Sequence, residues 1–260
     1  MPSNNTSAPE LIAQGIGKHF GDVEALRDVN VTVIPGKITA FVGPNGAGKT
    51  TLFHIMNGNL RPDSGKILLD GKDITGLPPW RIARMHVGKL FQDVRIFENL
   101  TVLENVCVAL LYEAEHHIVS SLLPARYCNP CHKYREEALH WLKYVGLENE
   151  ANQMGGELSF GQQKLLAIAR LIAHKSTFLL LDEPTAALSP IMIPKMVDLV
   201  RKLSAEHPIS IALIEHNMKV VKELAFYTYF MHEGSIYCHG DHHSVLENPE
   251  VRELYMGLKR

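Results

Sequence analysis

Valines at 29, 31 and 33 alternate with Asn30 and Thr32, which predicts a strand with one buried face. Pro35-Gly36 turns the chain into Ile38 to Val42, an unbroken apolar run that reads as a fully buried strand. Thr51 to Met56 can be helical and is stopped by Asn57-Gly58. Lys66 to Leu69 runs into Asp70-Gly71, a hairpin signal. The first third is therefore strand-rich and partly antiparallel. The pattern then changes to helical spacing. Thr101-Val102-Leu103-Glu104 is a capping box opening a helix to about Tyr112. Ser120 to Pro130 is irregular, with Pro124 and Pro130 as breakers. A second helix is predicted over His132 to Val145, with Ala138, Leu139, Leu142 and Val145 on one face and Gly146 ending it.

Helix and strand alternate in the remainder. Helices are predicted over Gly161 to His174, Pro190 to Ala205, His216 to Leu224 and Pro249 to Gly257. Strands are predicted over Thr177 to Leu181 and Ile209 to Ile214, and a closing hairpin over Phe226 to Met231 and Ser235 to Cys238. That rhythm gives an α/β fold, a parallel sheet with helices on both faces. The 260 residues read as a single domain in four parts: a β-rich part over 1–93, a helical subdomain over 94–158, the remainder of the core over 159–240 and a helical tail over 241–260.

Composition narrows the class. A 46% hydrophobic content is that of a globular protein. A net charge of -2 gives no electrostatic footprint for nucleic acid. No apolar run approaches the ~18 residues that would span a bilayer, and Met1 to Glu10 lacks the basic start and apolar core of a signal peptide. A cytoplasmic protein is expected, able to sit at a membrane by docking. Four cysteines do not make a disulfide scaffold, and Cys128 with Cys131 is only half of a structural zinc site.

The chemistry begins at Gly43-Pro44-Asn45-Gly46-Ala47-Gly48-Lys49-Thr50, which fits the phosphate-cradling P-loop and stands between a predicted strand and a predicted helix beginning at Thr51. Free N–H groups at the helix start attract phosphate. Gly46 and Gly48 allow close approach, Lys49 adds a point charge, and the Thr50 hydroxyl can join a Mg²⁺ shell. ATP or GTP is the expected ligand. Phe178 to Leu181 then ends in Asp182-Glu183-Pro184, so a carboxylate stands at the C-terminal edge of a buried strand, where open α/β sheets bind ligands. Asp182 is placed to hold Mg²⁺ and Glu183 to orient or deprotonate an attacking water. Without the P-loop, the pair would read as acids at a strand end that cap the next helix; the P-loop turns the reading to Mg²⁺ and water. Leu158-Ser159-Phe160-Gly161-Gln162-Gln163 offers Ser159 either as a plain N-cap or as a phosphate grip.

The order P-loop, Gln92, Leu158 to Gln162, Leu179 to Pro184 and His216 resembles the nucleotide-binding subunit of ATP-binding cassette (ABC) transporters, from about Leu11 to Gly257. The resemblance implies a P-loop NTPase (RecA-like) core with an antiparallel β subdomain and an inserted helical subdomain. It implies that Phe20 stacks on adenine and that residues Gly43 to Thr51 bind ATP. It makes Gln92 a sensor of Mg²⁺ or water, His216 a γ-phosphate switch, and Ser159, Gly161 and Gln162 a signature contacting nucleotide on a second ATPase subunit. Phe160 followed by Gln-Gln, the stretch Phe97 to Val106, Ile214 to Met218 and the irregular Tyr112 to Lys133 insert are similar to the longer ATPase of branched-chain amino-acid importers. The implied partners are that second subunit, membrane permeases and, indirectly, a periplasmic solute-binding protein, with the ATPase on the cytoplasmic face of the inner membrane.

Urea and amide importers share this architecture. Rival readings are a lipopolysaccharide exporter ATPase, a cassette acting on nucleic acid or ribosomes, and a P-loop kinase. In Ala186-Ala187-Leu188-Ser189-Pro190, Ser189 stands where many cassettes have Asp, and Ser189 before Pro190 reads as a helix N-cap.

Overall fold

The computed structural model describes residues 8–114 and 130–255. They fall into two compact units. The first takes the residues up to Lys89, then Thr177–Thr185 and the chain from Val197 onward; the second takes Leu90–Ser176 and Ala186–Met196.

The first unit holds two sheets. One is antiparallel, in the order β2 (Val23–Val33), β1 (Leu11–Phe20), β4 (Ser64–Leu69) and β5 (Lys72–Asp73). The predicted turn at Asp70-Gly71 joins its last two strands, with both residues at positive φ. The other has six strands, in the order β10 (Ser235–Gly240), β9 (Tyr227–His232), β3 (Ile38–Val42), β8 (Ser210–Ile214), β7 (Phe178–Asp182) and β6 (Val87–Leu90). Here β3 runs parallel to both β8 and β9, and β7 parallel to β8. The hairpin β9–β10 turns at Glu233-Gly234, with φ of 44° and 75°, the left-handed pair that a two-residue turn needs.

Alternation along β3 sorts the core. Phe41 faces α1 (Lys49–Met56), stacking on Tyr229 at 5.4 Å and meeting Phe53 edge-on at 5.6 Å. Ala40 and Val42 point the other way. There they join Phe230, Val221 of α7 (Met218–Leu224), Leu246 of α8 (His242–Leu246) and Val251 of α9 (Pro249–Tyr255). Each such ring or aliphatic side chain contributes roughly 2 kcal/mol by leaving water. The sheet is thus packed on both faces, and the loops at the C-terminal ends of β3, β7 and β8 leave from strands fixed in the core.

The second unit packs α3 (Val102–Ala114), α4 (Pro130–Val145) and α5 (Phe160–Ala173) pairwise. Its local signals behave as their chemistry dictates. The Glu104 carboxylate accepts from Thr101 N–H at 2.8 Å and the Thr101 hydroxyl accepts from Glu104 N–H at 3.1 Å. Gly146, at φ 78°, ends α4. Asn105, fully buried, accepts from Phe97 N–H at 2.9 Å and donates to the Phe97 and Thr101 carbonyls at 2.9 and 3.0 Å.

Four predicted helix starts move by two residues. Helix α1 begins at Lys49 rather than Thr51. Helix α4 begins at Pro130 rather than His132, since a proline that breaks a helix interior is well suited to its first turn. The helix expected from Pro190 is α6 (Met192–Glu206), and the Ser189 carbonyl, rather than its hydroxyl, accepts from Met192 and Ile193 N–H. Ser189-Pro190 therefore belongs to the turn before the helix. Similarly, α7 begins at Met218, with Asn217 as its cap, which leaves His216 in the connecting loop. The short α2 (Pro79–Ala83) was not expected, and α8 falls within the expected helical tail without having been marked as a separate helix; each has only five residues, too few for periodicity to register.

Among the described residues no helix is long and apolar enough to cross a membrane, and no cluster of His, Cys, Asp or Glu has the arrangement of a metal site. Cys128 and most of the Tyr112 to Lys133 insert lie outside the described residues.

Candidate active site

The loop after β3 is anchored by two glycines, Gly43 and Gly48, at which a side chain would collide with neighbouring strands. Gly43 has φ 149°, and a Cβ there would lie 2.1 Å from the Met231 carbonyl oxygen. Gly48, at φ 95°, is the N-cap of α1, and its Cβ would meet Leu26 and the Ala25 carbonyl within 2.7 Å. Gly46, at φ 82°, has open space around it instead. The loop is thus pinned against β2 and β9 at both ends and open in the middle. Asn45 and Gly46 are exposed, and the open side faces a cleft of about 620 Å³.

Lys49, Thr50 and Thr51 line that cleft with Gly46, Ala47 and Gly48. The Lys49 ammonium is buried and donates to the Gly43 and Pro44 carbonyls, both at 2.8 Å. Burial pulls its pKa below the usual lysine value, while the carboxylates of Glu183 and Asp182 hold it up. One wall of the cleft is Asp22 to Ala25, and the far wall is Glu183 and His216.

Strand β7 delivers the carboxylates. Asp182 is its last residue, 4% exposed, and burial raises its pKa against the pull of the Lys89 ammonium, 3.7 Å away on β6. Glu183 follows at φ 51°, a left-handed conformation that L-residues rarely hold. Its N–H extends the ladder to the Ile214 carbonyl at 3.0 Å, and its Oε1 lies 2.9 Å from His216 Nε2. P-loop, Glu183 and His216 therefore line one cleft, although Glu183 lies 134 and His216 167 residues beyond Lys49 in the chain. Phe20 ends β1 beside that wall, half exposed, but is not among the lining residues; Lys18 sits over its ring at 5.8 Å.

Gln92, Ser159, Gly161 and Gln162 belong to the second unit. Gln92 is exposed, just beyond β6. Ser159 caps α5: its hydroxyl accepts from Gln162 N–H at 3.4 Å, and Gln162 Oε1 accepts from Ser159 N–H and hydroxyl at 3.0 and 2.8 Å. Gly161 is buried, and a Cβ there would come 3.2 Å from Met192. Sequence reasoning missed Lys164, which is 1% exposed, donates to the Ala186 carbonyl at 2.8 Å and lies 5.1 Å from the Phe160 ring. It joins the signature helix to the loop after Glu183, and the only sequence cue was a lysine on an otherwise apolar helix face.

A family model described as ABC transporter matches residues 26–186. This chain belongs to the ABC transporter family. Membership makes it a nucleotide-binding ATPase. The ATPase is 36% identical over 256 residues to the high-affinity branched-chain amino acid transport ATP-binding protein BraF of Pseudomonas aeruginosa, covering 96% of this chain and 99% of that protein. It is 36% identical over 252 residues to the corresponding protein LivG of Escherichia coli K12, with the same coverages. In fold it is similar to the ADP conformation of an ATP-binding cassette of an ABC transporter, with TM-score 0.80, 30% identity, 96% of this chain and 99% of that one. A dimeric bacterial ABC transporter cassette superposes with TM-score 0.76 at 26% identity, over 89% of this chain and 98% of that one.

Proposed function

We propose that this ATPase powers an importer of branched-chain or other hydrophobic amino acids. The observation that carries the reading is the 36% identity, over 96% of the chain, to two proteins named for that transport; the P-loop, Glu183 and His216 lining one cleft support it. The whole chain acts as a single ATPase domain. It works as a dimer, with a second copy or a related ATPase, and docks on membrane permease subunits at the cytoplasmic face of the inner membrane. A periplasmic solute-binding protein supplies the cargo. Neither nucleic acid nor a phosphate acceptor other than water has a role.

In this scheme the ATP phosphates lie along residues Gly43 to Thr51, where backbone N–H groups and the Lys49 ammonium offset their charge. Phosphate oxygens replace the Gly43 and Pro44 carbonyls as partners of Lys49. Thr50, Asp182 and Gln92 would hold Mg²⁺. Their hydroxyl, carboxylate and amide oxygens are the all-oxygen donor set that this hard cation takes, and it supplies further neutralisation of the phosphate oxygens. Glu183 accepts the proton of the attacking water, and His216, 2.9 Å from it, fixes its carboxylate and faces the γ-phosphate. Phe20 meets the adenine. Ser159, Gly161 and Gln162 close over nucleotide held by the partner subunit.

The test is Glu183→Gln in cells and in vitro. The purified variant should bind ATP with wild-type affinity, turn over at least tenfold more slowly and dimerise with ATP, as loss of a general base predicts. Cells carrying it in place of the native gene should lose uptake of labelled leucine. Full turnover would remove Glu183 from its role, and unchanged uptake of leucine, isoleucine and valine would remove the assigned cargo.

A further inference from the structure

Strands β7 and β8 lie side by side and end together at Asp182 and Ile214. Their ladder continues for one more bond, from Glu183 N–H to the Ile214 carbonyl. Beyond it the two chains diverge, one leading to Thr185 and the other to His216. The space between is filled by one side chain. Glu215 is 3% exposed, and its two oxygens are divided between the loops. Oε1 accepts from the Thr185 N–H at 2.9 Å and from the Thr185 hydroxyl at 2.6 Å. Oε2 accepts from the N–H groups of His216 at 3.2 Å and Asn217 at 3.5 Å. The Tyr255 hydroxyl braces the second loop from its other side, donating to the His216 carbonyl at 3.0 Å.

We propose that Glu215 is a positioning residue for ATP hydrolysis, a clamp that sets the loop carrying Glu183 against the loop carrying His216. The inference rests on the roles given above to those two residues. Three features require a clamp. Glu183 stands at φ 51°, so its own backbone preference pulls it away from the observed geometry. His216 precedes the cap of α7 and is not fixed by the helix. Yet the two side chains meet at 2.9 Å, a distance that small loop movements would break.

The chemistry fixes the residue type. All four groups facing the side chain are donors, so only a group with two acceptor oxygens satisfies both loops. Glutamine keeps one oxygen and turns an NH₂ toward donors on the other side. Aspartate is one methylene shorter, about 1.5 Å, and cannot reach both.

The test uses the purified full chain with ATP and Mg²⁺. Glu215→Gln should lower kcat at least tenfold while KM for ATP stays within twofold. Thr185→Val, which deletes one hydroxyl, should lower kcat severalfold and serves if the first variant does not fold. In a His216→Ala background, adding Glu215→Gln should change kcat less than twofold, because the clamp acts through His216. The His216 imidazole signal, assigned in NMR spectra by its loss in His216→Ala, should shift in Glu215→Gln or in Thr185→Val. Where His216→Ala itself loses activity, wild-type kcat in both clamp variants, or fully additive losses in the double variant, would overturn the proposal. So would an unmoved imidazole signal, even if His216 proved dispensable. Wild-type activity of His216→Ala together with a shifted signal would instead overturn the catalytic role of His216 and leave the clamp standing.

Discussion

Replacing Lys89 by methionine keeps the length of the side chain and removes the ammonium that faces Asp182. Both side chains are only 5% exposed, 3.7 Å apart. At an effective dielectric near 20, two unit charges at that separation attract by about 4 kcal/mol. Burial disfavours the charge on Lys89 as well, and the variant is relieved of that penalty. Stranding one member of a buried pair typically costs about 3–5 kcal/mol. Lys49 also acts on Asp182 and softens the loss. A net destabilisation of roughly 2–4 kcal/mol follows, a large share of the ~5–15 kcal/mol that holds a domain together. Urea unfolding followed by circular dichroism measures it. The deficit has a defined pH dependence. Burial already raises the pKa of Asp182, and without Lys89 it rises further. A protonated carboxyl needs no counter-ion, so the deficit is full above that raised pKa and fades as pH falls through it. Lys89→Met combined with Asp182→Asn should return to within about 1 kcal/mol of wild type. A deficit below about 0.5 kcal/mol at neutral pH, or one that grows on acidification, would refute the pairing.

Two further perturbations address the frame around the site. Asn105→Ala leaves the Phe97 N–H and the Phe97 and Thr101 carbonyls without the buried amide that pairs them and should destabilise the helical unit by about 1–3 kcal/mol; a loss under about 0.5 kcal/mol in chemical unfolding would deny the side chain its structural role. Asp63 accepts from the Lys18 ammonium at 2.6 Å and from His19 N–H at 2.7 Å, bonds that depress its pKa. Asp63→Asn should therefore be less stable than wild type above the ordinary carboxylate pKa. The two unfolding curves should converge as pH falls through the depressed value. A gap independent of pH would mean that the carboxylate charge is irrelevant there.

Signals that act within a few residues were legible in the sequence. The apolar run of β3, the hairpin turn at Asp70-Gly71, the capping box at Thr101 and the stop at Gly146 each depend on neighbours less than five positions away. The P-loop and the Asp182-Glu183 pair were legible for the same reason. Relations between strands were not. Lys89 meets Asp182, and Glu215 meets Thr185, only because β6, β7 and β8 are neighbours in the sheet. Nothing local marks either contact. Strand β1 was hidden by Gly15 and Gly17, which interrupt its alternation where the ladder shifts register. At Ser189 the chain takes an extra turn before α6, and local capping preference cannot distinguish that turn from the helix start.

If Glu183 is the general base proposed above, its left-handed backbone sets fold and catalysis at odds. Glycine, or to a lesser degree asparagine, would occupy φ 51° with less strain, by an amount on the order of 1 kcal/mol. A laboratory selection that rewarded only thermal resistance would therefore push this position away from glutamate, towards a sturdier protein that no longer turns over ATP. Heat tolerance is thus a poor proxy for fitness at this site, and a stabilised version of the protein should be screened for turnover before any of its gains are accepted.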